Sequence, residues 1–348
     1  MPDRYVLVLA GGRGERFWPW SRPARPKQLL PLARGGRTLL AAAFERALQM
    51  VQSPDHVLVM TALDLKQEVR RECPGARVLG EPLPRNTAPA IAAACAWIPG
   101  DSALAVMPAD HLIDDLPAFR RDCTRAFEAA ERSPMLVTHG IPPSGPDTNF
   151  GYVRRGAKVG DRIFRVERFT EKPDAARARE YVESGEYLWN CGIFVWRKSV
   201  FLEALEAGRP ALAAALRNFE FSGTEAGFED RLRVVFPALE SISVDYAVLE
   251  KAPNVLVLEA SFDWDDLGSW GAWARRQPRD ARGNVAFGDA VVVDCDDCVV
   301  VGEGGTAAAM GLRGMVVVHV NGATLTCPVA DSESVRKVSE AVRSRGKL

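Results

Sequence analysis

The apolar positions of the first hundred residues come in short unbroken runs. "YVLVLA" (5–10), "HVLVMTA" (56–62), "RVLGE" (77–81) and "ALAVMPADH" (103–111) each precede or follow a stretch with helical spacing. Continuous rather than alternating apolar residues mark strands buried on both faces. Helices are predicted over 38–50, 64–73 and the segment "TAPAIAAACAWI" (87–98). Such alternation predicts successive βαβ units, an α/β fold with a Rossmann-like, mixed and mainly parallel sheet flanked by helices. Ligands of such sheets bind outside the carboxyl ends of the strands.

From about 150 to 275 the pattern becomes mixed. Strands are predicted at "GYVRR" and "IFRVERF", a helix over 174–183, and a central strand at "LWNCGIFVWR", so this half reads as a second lobe on the same sheet. "RQPRDARGN" (276–284) reads as a linker, which sets domains at 1–280 and 281–348. Beyond it lie short valine-rich strands, "AVVVD", "CVVVGEGG", "GMVVVHVNG" and "TLTCPV", separated by Gly and Asp. That spacing predicts a small C-terminal all-β unit, flat-stacked or helical. A closing helix is predicted in "DSESVRKVSEAVRSRG", with Asp331 or Ser332 as its N-cap. The β unit shows no acid–base pair or ligand cluster, which points to a structural or assembly role.

Composition narrows the class. With 348 residues, 47% apolar and 26% charged, the chain is of ordinary globular make-up, and a net charge of −1 argues against nucleic-acid binding as a whole. No run reaches the roughly 18 to 20 apolar residues of a membrane span, and the N-terminal apolar run is too short for a signal peptide. A cytoplasmic enzyme, off the membrane, is the expectation. Seven cysteines, odd in number and scattered, suit reduced buried thiols. Cys295 and Cys298 have metal-ligand spacing, but no second pair stands nearby to complete a zinc site.

The chemistry concentrates in "LAGGRGERFWPWSRPARPKQLLPL" (9–32), a Gly-rich, basic loop directly after the first strand. Glycines there let backbone N–H groups approach an anion, and basic side chains neutralise it. The loop lacks the Gly-Lys-Ser/Thr of a P-loop, and Phe17 stands where a dinucleotide fingerprint needs its third glycine. Asp110 ends an apolar strand, where a carboxylate meets the ligand crevice or caps a helix. Asp266 in "FDWDDLGSW" is a second acid, with Asp265 beside it, and two carboxylates plus phosphate oxygens are a usual way to hold Mg²⁺. His111 reads as a packed residue, because Mg²⁺ prefers oxygen. Trp189, Trp196, Trp264 and Trp270 read as core rather than as a sugar-stacking set.

The order G-G-x-G-x-R followed by P-K-Q resembles the signature of the mannose-1-phosphate guanylyltransferases, the GDP-mannose pyrophosphorylases among the sugar-nucleotide nucleotidyltransferases. "GEPLPRNTAPAIAAA", "VMPADHLI", "FTEKP", "LWNCGIFVW" and "FDWDDLGSW" resemble further segments of that family in order, from residue 5 to about 275. The resemblance implies a nucleotidyltransferase, GT-A-like fold with a β-helix-like C-terminal domain. It implies the transfer of GMP from GTP to mannose 1-phosphate, giving GDP-mannose and pyrophosphate with Mg²⁺ as cofactor, and a homodimer.

Residue by residue, it implies that Gly11, Gly12 and Gly14 cradle the triphosphate, that Arg16 neutralises the leaving pyrophosphate and that Lys27 sits between the reacting phosphates. Arg13, Arg22 and Arg25 are second-line charges. Asp110 and Asp266 are the implied metal ligands, Asp266 being favoured over Asp265. Glu81, Arg85, Asn86 and Thr87 offer the fixed donors and acceptors that a guanine pocket needs, although Asn86 or Thr87 could equally cap the following helix. Gly151, Glu171, Lys172 and Asn190 are implied for the sugar phosphate. The chain reads "DTNFGY" where the family usually has E-T-G-Y-G-Y, a departure that bears on fine sugar selectivity, although Asn149 can still adopt a left-handed turn. Rival readings are the same chemistry with another sugar or nucleotide, and a non-catalytic sugar-nucleotide-binding homologue. As the sequence ends at Leu348, a monofunctional enzyme without an isomerase module is expected.

Overall fold

The first strand, β1 (Arg4–Ala10), is buried along nearly its whole length, as its unbroken apolar run requires. In this computed structural model, which describes residues 3–12, 14–217 and 223–346, the chain continues through α1 (Leu39–Leu48), β2 (Val57–Ala62), α2 (Lys66–Glu72), β3 (Arg77–Glu81) and α3 (Thr87–Ala94) to β4 (Ala103–Pro108). After α4 (Leu116–Arg132), capped by Asp115 accepting from Ala118 N at 3.0 Å, come β5 (Leu136–Ile141), β6 (Gly151–Gly160), β7 (Ile163–Thr170), α5 (Ala175–Ser184) and β8 (Tyr187–Arg197). Three helices, α6 (Lys198–Gly208), α7 (Pro210–Arg217) and α8 (Glu225–Val235), precede β9 (Val255–Glu259). The C-terminal part holds α9 (Trp270–Arg275), β10 (Val285–Val293), β11 (Val299–Met310), β12 (Met315–Val320), β13 (Ala323–Pro328) and α10 (Val335–Ser344).

The chain divides into two compact units, and the division is discontinuous. One comprises Met1–Gly11, Ala43–Ala109 and Ile113–Trp264; the other comprises Gly12–Ala42, Asp110–Leu112 and Asp265–Leu348.

The first unit carries a nine-stranded sheet in the order β3-β2-β1-β4-β8-β5-β9-β7-β6. The parallel expectation holds for β3-β2-β1-β4. Beyond β4 it fails in part: β8 runs antiparallel to all three strands it pairs with, β4, β5 and β6, the last setting Gly151 opposite Asn190, and only β5 and β9 are again parallel. The eleven-residue β8 lies centrally, as its sequence predicts, and its Phe194 stacks on Trp196, which in turn stacks on Phe201 of α6. Parallel pairing of β1 with β4 sets Leu9 opposite Pro108, so both strands end at the same edge.

The second unit carries the small sheet β10-β11-β12-β13, parallel except for its last pair. Its core is aromatic. Trp20 stacks on Trp270 at 5.7 Å between ring centroids and meets Trp273 edge-on, with Phe287 against both Trp20 and Trp273. Trp20 Nε1 donates to Glu303 at 2.8 Å. The closing helix starts later than expected. Residues Val329–Ser334 form a 3-10 turn and Ser334 occupies the cap position of α10. Ser332 is instead buried, accepting from Gly271 N at 3.2 Å and donating to Val329 O at 2.7 Å. Cys295 and Cys298 are unpaired and buried at the acidic turn between β10 and β11, their thiols donating to the carbonyls of Val293 and Asp296. Among the described residues no helix is long and apolar enough to cross a membrane.

Candidate functional site

Within the second unit, the loop after β1 folds as two short 3-10 turns, Glu15–Phe17 and Lys27–Leu29. Gly14 lies against the start of the second turn, with φ of +63° and no room for a side chain: a Cβ there would fall 2.6 Å from Lys27 N. Ser21 Oγ donates to Gly14 O at 2.7 Å and fixes the curl. Lys27 is thereby drawn inward until it is only 7% exposed. Its ammonium donates to Asp110 Oδ2 at 2.9 Å and to the Asp266 carbonyl.

A cavity of about 400 Å³ opens around this contact, lined among others by Arg16, Lys27, Asp110, His111, Asp266 and Arg336. Burial pushes the Asp110 carboxyl up, but the charges of Lys27 and His111 and the Lys27 hydrogen bond outweigh it and hold the group below its usual value. Asp110 is therefore an anion, and it does not cap α4, whose cap is Asp115. Asp266 lines the cavity and Asp265 does not; Asp265 accepts from Leu267 N at 2.8 Å. Among the described residues no group of three or more His, Cys, Asp or Glu side chains gathers around a common point. Asp110 and Asp266 are two carboxylates lining the cavity that could serve as hard oxygen ligands, leaving positions for water and phosphate.

The second-line arginines divide. Arg25 pairs with Glu303, the carboxylate that also holds Trp20, and Arg22 reaches Val320 O at 3.4 Å, so both hold the loop against the β sheet rather than face the cavity. Arg13 lies outside the described residues. Gly12 has open space where a side chain would stand. Arg336 of α10, in the C-terminal part, also lines the cavity.

In the first unit, Glu81 ends β3 at 8% exposure with Oε2 lacking a hydrogen-bond partner, and burial pushes its carboxyl up to about 7. A Cβ on Gly11 would lie 3.0 Å from Glu81 Oε1, so the glycine keeps this carboxyl uncovered. Three neighbours make hydrogen bonds within the fold. Arg85 donates to Phe236 O at 2.8 Å and Pro237 O at 2.5 Å, and Asn86 caps α3 by accepting from Thr87 N at 2.8 Å. Thr87 Oγ1 accepts from Val244 N at 2.8 Å. These bonds leave Glu81 as the buried group with capacity for a ligand donor.

A second cluster in this unit joins Gly151, Glu171, Lys172 and Asn190. A side chain on Gly151 would run into Glu171, and Lys172 sits 3.2 Å from Glu171 with a backbone φ of +47°. Asn190 donates to Asp245 Oδ1 at 2.8 Å and accepts from Thr138 at 3.0 Å. Asp245 is the member the sequence reading missed. It opens a π-helical turn, Asp245–Leu249, in a stretch with no glycine or charge pattern to mark it. Burial, then Asp245, pushes the Glu171 carboxyl up to about 7, against the pull of Lys172. Asn149 is not in the left-handed region; its backbone and side-chain amides both donate to Asp147 Oδ1. Trp196 and Trp270 are fully buried, and Trp189 and Trp264 pack on Phe150.

Known proteins resemble this chain along its whole length. Residues 5–282 match the nucleotidyl transferase family model, and residues 288–342 match the MannoseP isomerase/GMP-like beta-helix domain. The xanthan biosynthesis protein XanB of Xanthomonas campestris pv. campestris (strain B100) is 38% identical over 357 residues, covering 100% of this chain and 75% of its own length. Mannose-1-phosphate guanylyltransferase of Escherichia coli is 36% identical over 352 residues, covering 97% of this chain and 73% of its own. A solved structure described as mannose-1-phosphate geranyltransferase from Thermus thermophilus aligns with a TM-score of 0.88 at 36% identity, over 98% of this chain and 99% of that one.

Proposed function

This chain belongs to the nucleotidyl transferase family, and from that premise we propose that it transfers GMP from GTP to mannose 1-phosphate, forming GDP-mannose and pyrophosphate. The observation that carries the site assignment is the fixing of the Lys27 ammonium between Asp110 and the Asp266 backbone, in a cavity it shares with Arg16.

An oxygen of the sugar phosphate attacks the α-phosphorus in line, and pyrophosphate leaves from the opposite side. The attacker is already an anion, so no strong base is required. The task is to align two repelling anions and neutralise charge as it moves. Lys27 is buried, oriented and prevented from swinging by two acceptors, which makes it a fixed positive charge for the reacting phosphates. Arg16 neutralises the leaving pyrophosphate, and the Gly12 and Gly14 backbone approaches the phosphates without side-chain hindrance. Asp110 and Asp266 would hold Mg²⁺, which when bound supplies charge neutralisation at the phosphate oxygens.

Glu81 accepts the N1–H and 2-amino donors of guanine, and Gly11 keeps the approach clear. Glu171, Lys172, Asn190 and Asp245 hold the sugar phosphate. A raised Glu171 carboxyl can donate to a hydroxyl when protonated and accept when ionised. The chain works in the cytoplasm, away from membranes and nucleic acid, and pairs with a second copy through the β unit.

The decisive experiment is a matrix of four nucleoside triphosphates against several sugar 1-phosphates, reading pyrophosphate release. GTP with mannose 1-phosphate should give the fastest turnover. Preference for UTP or dTTP with glucose 1-phosphate would move the assignment to another pyrophosphorylase, and no turnover with any pair would make the chain a binding homologue.

A further inference from the structure

We infer that Arg336, on the closing helix α10, is a polyphosphate-binding residue of the cavity around Lys27. The inference rests on the transfer reaction proposed above and adds to its site a residue from the part of the chain that follows the nucleotidyl transferase segment.

Arg336 lines the same cavity as Arg16, Lys27, Asp110 and Asp266. Its side chain is 64% exposed, and its guanidinium lies 3.5 Å from Glu15 and 2.9 Å from Glu340. Glu15 precedes Arg16 in the first 3-10 turn of the phosphate loop and pairs also with Arg343 of the same helix. The guanidinium is thus held at the cavity mouth by partly exposed carboxylates, contacts that are weak and exchangeable in water. A polyphosphate offers several anionic oxygens, and a planar guanidinium meets them through two parallel N–H donors. Pyrophosphate entering the cavity therefore takes Arg336 over from Glu15 and Glu340.

The two arginines separate a direct contact from a structural one. Both pair with Glu15, yet only Arg336 lines the cavity. Binding of inorganic pyrophosphate to the full-length protein is measured by calorimetry for the wild type, Arg336→Ala, Arg336→Lys and Arg343→Ala, and KM is measured for GTP and for mannose 1-phosphate. Arg336→Ala should weaken pyrophosphate about tenfold, in line with loss of one charge-assisted contact, and should raise KM for GTP but not for the sugar phosphate. Lysine should restore part of the loss, and Arg343→Ala should change pyrophosphate affinity less than about twofold, as expected of a contact outside the cavity.

Equal losses in Arg336→Ala and Arg343→Ala would overturn the inference in favour of loop support. Unchanged pyrophosphate binding in Arg336→Ala, or none in the wild type, would overturn it outright. Failure of the transfer reaction itself reads differently: the wild type would bind pyrophosphate yet make no GDP-mannose.

Discussion

Gly14 stands against Lys27 so closely that no side chain fits between them, and its backbone adopts a φ of +63°. Gly14→Ala therefore meets two obstacles at once, a left-handed backbone costing about 1–3 kcal/mol and a collision with the backbone of Lys27, the residue proposed to face the reacting phosphates. The expected result is a loss of turnover of about 100-fold, the effect of a displacement near 1 Å, together with a lowered midpoint in denaturant. Gly12→Ala, which meets nothing within 4 Å, should keep near-normal stability. Unfolding curves and steady-state rates for the pair check both expectations.

Lys27→Ala should lower turnover by about 10²–10³-fold, the cost of losing one preorganised charge, while the fold persists. Asp110 is 38% exposed at its side chain and can be hydrated when its partner is gone. Asp110→Asn should remove the dependence of rate on Mg²⁺ along with most activity. Strong stimulation of the Asn variant by Mg²⁺ would move the metal site elsewhere.

The pH behaviour of Glu81 has a definite sign. Its carboxyl is raised to about 7 from 4.5, so the folded state binds the proton more tightly than the unfolded chain. That contribution is fully present below pH 4.5 and is lost as pH rises through about 7. Glu81→Gln should thus gain on the wild type by roughly 3 kcal/mol between acid and neutral pH. The reverse holds for function, since only the ionised group accepts both donors of guanine: KM for GTP should fall as pH rises towards 7 in the wild type and stay flat in the variant. Urea unfolding and KM for GTP at a series of pH values test the two halves separately.

Gly151→Ala should act on the sugar side alone. A methyl group there runs into the Glu171 carboxylate, so KM for mannose 1-phosphate should rise about tenfold or more, by analogy with other close-packed overfilled sites, with KM for GTP unchanged. A parallel rise in both constants would show a general disturbance of the sheet.

Trp20→Ala should cost about 3–5 kcal/mol, the range for deleting a fully buried aromatic. Trp20 is fully buried against Trp270 and Trp273 and holds the Glu303 carboxylate. The same segment carries Lys27, so activity should fall with stability, and both should return together at low temperature if the loss is one of order rather than of chemistry.

Much of this molecule is legible before folding. The strands β1 to β4 follow from apolar runs that can be satisfied only by burial on both faces, and the loop after β1 announces anion chemistry by glycine and arginine alone. Other assignments required bond partners that residue type does not specify. Arg85 and Thr87 look suited to a base, and only the fold shows that they also bond to Phe236, Pro237 and Val244. Arg25 looks like a spare phosphate cation and instead anchors to Glu303. Asp245 and Arg336 sit in unremarkable stretches and gain significance from what they face.

Periodicity and backbone conformation are settled over a few neighbouring residues, which is why the strands, the βαβ order and the glycine-rich, basic loop after β1 could be read from the chain before it folds. Which charges meet depends on the folded state. Lys27 and Asp110 are 83 positions apart, and Lys27 and Asp266 are 239 apart. No local spacing encodes such a contact, since it exists only where chain closure and burial bring an ammonium and its acceptors within hydrogen-bonding distance.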